Sequence, residues 1–152
     1  MGYRRRARQI ALQVLYQIDI AKTAPLEALN LYWQCFEAPK SARSFASELV
    51  LGVHEHLTDI DRFIMKCSEN WSLRRMAKVD RNILRLATYE LIYCPDIPPK
   101  VTLNEAIDLG KEFGSENSSS FVNGILDALY AQLRTEINGG NGNIGIDRQP
   151  AS

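Results

Sequence analysis

Residues 80–93 read DRNILRLATYELIY, and this stretch decides the fold. On a helix turning 100° per residue, Ile83, Leu84, Leu86, Ala87, Tyr89, Leu91 and Ile92 cover nearly the whole circumference. A helix with so little polar face is stable only when other helices cover it, so it predicts the centre of an all-α bundle. Asp80 stands where an N-cap would, which predicts a helix from Arg81 to about Tyr93.

Toward the C-terminus, CPDIPPK (94–100) holds three prolines and predicts a rigid, non-helical crossover. Thr102 and Glu105 have the spacing of a capping box opening a sixth helix, and Gly114 is its expected stop. SENSSS (115–120) is a polar loop offering Ser118 or Ser119 as the cap of a last helix. That helix turns Phe121 or Val122, then Ile125, Leu126, Leu129 and Leu133, inward. Asn123-Gly124 usually signals a turn, but the apolar period runs past it, so close backbone approach is expected at Gly124. From Asn138 the tail GGNGNIGIDRQPAS has no apolar period and is expected to be disordered, leaving 1–137 as one domain.

Toward the N-terminus, residues 4 to about 20 predict an amphipathic helix. Ala7, Ile10, Ala11, Val14, Leu15 and Ile18 share one face, Gln9, Gln13 and Gln17 form a row opposite, and Arg5, Gln9, Leu12 and Tyr16 line the border. Pro25 opens a second helix with Leu26, Leu29, Trp33 and Phe36 inward, and EAPKS ends it before Pro39. Ser41 or Ser44 caps a third through Phe45, Leu49 and Val53, and a fourth carries Leu57, Ile60, Ile64 and Cys67. NWSLRRMAKVD, around Trp71, reads as a helical turn and a connection. The sum is about seven helices, no sheet and no internal repeat.

A chain of 152 residues can bury one real core. With 18 basic and 18 acidic side chains, any affinity for nucleic acid must come from a local patch. No apolar run is long enough to span a bilayer, and Gln9, Gln13 and Gln17 break up what would otherwise resemble a secretory leader. Three scattered cysteines predict no disulfide framework, and a reducing cytoplasm is the expected location.

The residues offer no catalytic constellation. Neither His54 and His56 nor the cysteines have zinc spacing, so surface histidines, core cysteines and no metal or cofactor are expected. GGNGNIG follows no strand and reads as linker rather than a phosphate loop. Asp59 with Asp61, and Asp108 with Glu112, read as solvated carboxylates.

The positive signal is RRRAR, with Arg4, Arg5, Arg6 and Arg8 and no acid before Asp19. Free N–H groups already make a helix N-terminus partly positive, so cations there break a local rule. Either this is a frayed, solvated end, or the partner is rich in phosphate. Arg4, Arg5 and Arg8 span only about 100° of helix, which concentrates the charge. Tyr16 lies three turns along the Arg5 stripe, as a ring on which a base could stack or as a half-buried core tyrosine.

RRRAR followed by ALQVLYQID, then WSLRRMAKVDRNILRLATYEL, IPPKVTLNEAIDLGKEFG and FVNGILDAL, resemble the NusB family of bacterial transcription antitermination factors. The resemblance is colinear from about Arg4 to Leu133. It implies a NusB-like bundle of two packed subdomains and a non-enzymatic protein that binds single-stranded boxA RNA of ribosomal RNA leaders. It further implies NusE, a small-subunit ribosomal protein, as partner, and an indirect place in an RNA polymerase complex. Some members of the family pair as homodimers. The RNA-binding positions carry over to Arg4, Arg5, Arg6 and Arg8, to Tyr16, to Asp80 and Arg81, and to Asn117, Ser118, Ser119, Ser120 and Phe121.

Two of these positions depart from the family pattern. Ser120 stands where the family commonly has a basic residue, which puts one phosphate contact in doubt, and Asn117 stands where an acid can occur. Phe121 near a helix start suits stacking, with free N–H groups and serines for phosphate, although it or Val122 could instead be core. Asp80 is either a cap or a carboxylate that reads base amino groups. Two other readings compete. One is an RNA-targeting module like those fused to ribosomal RNA cytosine methyltransferases, whose cofactor-binding domain is not expected here. The other is a protein-only scaffold for a ribosomal protein.

Overall fold

The computed structural model describes residues 2–69 and 72–138. Among these there are seven α-helices, one short 3-10 helix at Leu73–Arg75, and no strand. The helices are α1 (Gly2–Ala21), α2 (Pro25–Cys35), α3 (Lys40–Glu55), α4 (Leu57–Cys67), α5 (Lys78–Tyr93), α6 (Pro99–Phe113) and α7 (Ser118–Asn138). The expected turn at Trp71 and the expected disorder of the tail beyond Asn138 lie outside the described residues.

Helix α5 is central, as its all-round apolar surface requires. It packs against α1, α3, α4, α6 and α7, and twelve of its sixteen residues are buried. Helices α1, α2 and α3 pack on one another on one side of it, and α4, α6 and α7 enclose the rest. Gly52 of α3 admits the Tyr89 ring of α5 to the space a Cβ would take. Tyr89 then stacks on Tyr93, and Tyr93 on His56 at 4.0 Å between centroids.

Helix starts differ from the sequence reading for one physical reason: prolines and tertiary contacts replace side-chain caps. Pro39 precedes α3, so Ser41 and Ser44 lie inside the helix. Ala77 is the N-cap of α5, and Asp80 sits in its first turn, where a carboxylate still suits the positive helix end. Pro98 precedes α6 and Pro99 is its first residue, so the proline segment starts the helix rather than only crossing between helices. Thr102 is consequently internal, and its hydroxyl donates to Glu90 at 3.1 Å instead of capping.

Three packing expectations are also corrected. Leu26 and Phe36 of α2 are exposed, while Leu29 is buried and Trp33 packs partly against the core. Gly124 is exposed with nothing near its Cβ position, so no backbone approaches it. Cys94 is buried but Cys35 is exposed, and all three cysteines are free.

Candidate nucleic-acid interface

Helix α1 has no acidic residue in its first turn, and the negative charge it lacks arrives from α5 and α6. Arg8 is 3% exposed. Its Nε and Nη2 donate to the two Glu90 oxygens at 2.8 and 2.7 Å, and Nη1 donates to Glu105 at 3.3 Å. Burial works against the Arg8 charge, but the hydrogen bonds and charge of Glu90, with that of Glu105, outweigh it and hold the guanidinium ionised. Arg8 therefore ties α1 to α5 and α6 and presents nothing to solvent.

The other arginines differ in what they have free. Arg5 donates to Glu105 at 2.6 Å and Asp108 at 2.9 Å but leaves over half its side chain exposed. Arg4 lies over the Phe45 ring, 5.3 Å from its centroid, with Asp96 at 3.6 Å. Arg6 is exposed and has no ion-pair partner among the described residues. Gln9 continues the border stripe by donating to Glu112 at 3.0 Å. Asp108 and Glu112 are thus engaged rather than merely solvated. So is Asp61, which accepts two bonds from Arg85, while Asp59 faces Arg62 at 3.4 Å. Tyr16 is exposed on α1, not a core tyrosine.

At the start of α7 the serine hydroxyls are engaged elsewhere than in capping. Ser118 is buried and accepts from the Ser115 N–H at 2.8 Å. Ser119 donates to the Ile107 carbonyl of α6 at 3.0 Å, beside Gly110, where a Cβ would press on it. Ser120 and Asn117 are exposed, and Ser120 donates to the Asn117 carbonyl at 3.4 Å. Val122 is fully buried and Phe121 only partly, so Val122 fills the core position. Helix α6 therefore joins the two regions. Arg5 bonds Asp108 of α6, and Ser119 bonds the carbonyl of the adjacent Ile107.

Asp80 and Arg81 are placed differently. Because Arg8 pairs with Glu90 and Asp19 with Arg81, α1 and α5 run antiparallel. Asp19 lies eleven residues beyond Arg8, roughly 16 Å along the helix. There it accepts two bonds from Arg81 at 2.9 and 2.7 Å, another from Asn82 at 3.0 Å, and a weaker one from Arg85 at 3.4 Å. Arg81 also donates to the Leu73 carbonyl, which makes it a strut under the connection to α5. Asp80 is 8% exposed, with one carboxylate oxygen that has no hydrogen-bond partner. The sequence reading gives Glu105 a capping role and Asp19 and Glu90 none, so it misses all three as partners of the arginines. Glu90 did carry a signal, since a lone carboxylate on an all-round apolar helix requires a buried cation.

The NusB family model matches residues 5–131. The transcription antitermination protein NusB of Syntrophus aciditrophicus (strain SB) is 59% identical over 88% of this chain and 83% of its own length. That of Myxococcus xanthus (strain DK1622) is 50% identical over 88% of this chain and 98% of its own. Among solved structures, T. maritima NusB superposes with a TM-score of 0.77 at 40% identity, covering 85% of this chain and 91% of its own. A structure of antitermination factors NusB and NusE in complex with double-stranded RNA gives 0.79 at 34% identity, covering 87% and 98%.

Proposed function

This chain belongs to the NusB family, and from that membership we propose that it binds boxA-type RNA of ribosomal RNA leader transcripts. It does so together with the ribosomal protein NusE, and the pair joins the RNA polymerase complex to suppress termination. The reading is of a binding protein, not an enzyme, with 1–137 acting as one RNA-binding unit in the cytoplasm. Among the described residues no helix is long and apolar enough to cross a membrane.

The observation that carries the reading is the exposed end of α1, where Arg6 has no carboxylate partner among the described residues and Arg4 and Arg5 keep part of their surface open. On this reading Arg4, Arg5 and Arg6 meet phosphates, while Arg8 and Arg81 hold the helices that present them. Tyr16 and Phe121 supply rings for stacking, and Asn117 and Ser120 supply exposed polar groups beside Phe121. By family membership Asp80 is the candidate acceptor for a base amino group, through the part of its carboxylate other than the buried Oδ1.

The test is RNA binding with and without the ribosomal partner, using a boxA oligonucleotide against a scrambled one. Three open arginines predict a log–log salt slope of about −2 for single-stranded RNA, and R5A/R6A should weaken binding and flatten that slope. Equal affinity for the two oligonucleotides, or an unaltered slope in R5A/R6A, sinks the reading.

A further inference from the structure

A second group of cations, on α3, shares the oddity of the α1 arginines. Lys40 and Arg43 stand at the start of a helix with no acid in its first turn, and its first acid is Glu48. Neither has a carboxylate partner among the described residues, and the Arg43 guanidinium lies over the Trp33 ring, 4.9 Å from its centroid. Lys40, Arg43, Ser44 and Ser47 recur at helical spacing and, with Trp33, line an open hollow of about 550 Å³. Ser44 also lines the next hollow, of about 310 Å³, together with Tyr3 and Arg4 of α1 and with two carboxylates, Glu48 and Asp96, the second of which lies 3.6 Å from Arg4. The two hollows adjoin at Ser44 and together make a track along α3 between Arg4 and Trp33.

The chemistry of that track selects its occupant. The exposed apolar side chains of α2, Leu26, Leu31 and Phe36, line neither hollow, and the apolar lining that is there, Trp33, Ala38, Phe45 and Ile97, is interleaved with the cations Lys40, Arg43 and Arg4. Cations without an internal counter-charge give up no ion pair when a phosphate arrives. An aromatic ring beside a guanidinium is a platform on which bases stack, whatever their sequence. We propose that Lys40, Arg43 and Trp33, continuous with Arg4, bind the single-stranded nucleotides that flank those held by the α1 arginines. This rests on the reading above that those arginines hold RNA.

The test compares a boxA core RNA with the same RNA extended at either end by about ten nucleotides, on the full chain. The extension on the correct side should tighten binding and steepen the log–log salt slope by about 1.4, from two contacts at about 0.7 each. K40A/R43A should abolish both gains while leaving the core affinity unchanged. W33L should reduce the gain in affinity more than W33F does, because phenylalanine still offers a ring. No gain from either extension, or a gain that survives K40A/R43A, overturns the proposal. So does a K40A/R43A effect confined to binding of the ribosomal partner, which would make the surface a protein's. A core RNA that fails to bind, or binds R5A/R6A equally well, rejects the underlying arginine reading instead, and this proposal with it.

Discussion

Replacing Arg8 by alanine strips Glu90 of its guanidinium. The two side chains are 4% and 2% exposed, and the bonds between them are 2.7 and 2.8 Å. What remains to Glu90 is the Thr102 hydroxyl at 3.1 Å, a neutral donor facing a full charge. Stranding one member of a buried ion pair costs about 3–5 kcal/mol. A domain of this size is stable by about 5–15 kcal/mol, so the loss is about a fifth of the total or more. With a urea dependence of about 2 kcal/mol per molar, the unfolding midpoint followed by circular dichroism should fall by about 1.5–2.5 M.

The double variant R8M/E90L removes both charges, and Glu105 keeps Arg5 as a partner. It should be as stable as wild type or up to about 4 kcal/mol more stable. An Arg8→Ala protein within about 1 kcal/mol of wild type would refute the packing argument. RNA affinity of the double variant separates the two roles of the arginine run. If Arg8 only positions α1, affinity stays near wild type. A stable R8M/E90L protein that binds RNA tenfold more weakly, about 1.4 kcal/mol, would put Arg8 in contact with RNA and refute the positioning role.

Further predictions concern stability and reactivity. Burial alone would raise the Asp19 carboxyl, but hydrogen bonds from Arg81 and Asn82 and the charges of Arg81 and Arg85 outweigh it and hold it below the usual range. A lowered folded value adds stability above the unfolded value, about 3.9, and that stability is lost as pH falls through the folded value. Asp19→Asn should therefore lower the urea midpoint at pH 7 and approach wild type below about pH 4; an equal gap at both ends counts against the linkage. Gly124, exposed in mid-helix with open space at its Cβ position, should accept alanine with a gain of about 0.5–1 kcal/mol. Gly52→Ala should lose about 1–3 kcal/mol by pressing on Tyr89, and thermal unfolding that reverses the two signs disproves the packing. Burial pushes the Cys94 thiol up to about 12, so a thiol reagent should label exposed Cys35 in the native protein and Cys94 only on unfolding. Rapid native labelling of Cys94 in a Cys35→Ser protein would contradict that.

The bundle and its central helix were legible because the apolar pattern of 83–92 admits one arrangement. Helix starts were less so, since the residues that suggested caps had tertiary work instead. Thr102 serves Glu90, Glu105 serves Arg5 and Arg8, and Asp80 sits one turn inside the helix it was expected to cap. Charge spacing placed four arginines together but did not sort them by depth. A clue was present: Arg8 stands three, four and seven residues before Ala11, Leu12 and Leu15, all buried, so it points with them. Its complement, Glu90, lies 82 residues away, a separation across which no local pattern operates. Phe121 and Val122 are adjacent and both apolar, and only packing against α6 and the core decides between them.

On the proposed reading, the same geometry lets a chain with no net charge bind RNA without binding every polyanion. Arg8 gives its charge to the fold and fixes the direction in which α1 leaves the core. Arg5 already holds two carboxylates, Glu105 and Asp108, so a phosphate gains only the difference between itself and them. That difference is small for pairs at the surface, where water and salt weaken each partner's hold. Arg6 has no such competitor among the described residues, and on the proposed reading it contributes its attraction in full. On the proposed reading, affinity then depends on how many weakly held cations one strand can reach at once. A strand that also meets Tyr16 or Phe121 with a base gains what a bare polyanion does not, about 1–3 kcal/mol for each ring it stacks on. On that reading discrimination rests on the rings, while the carboxylates of α6 keep the arginines from binding phosphate indiscriminately.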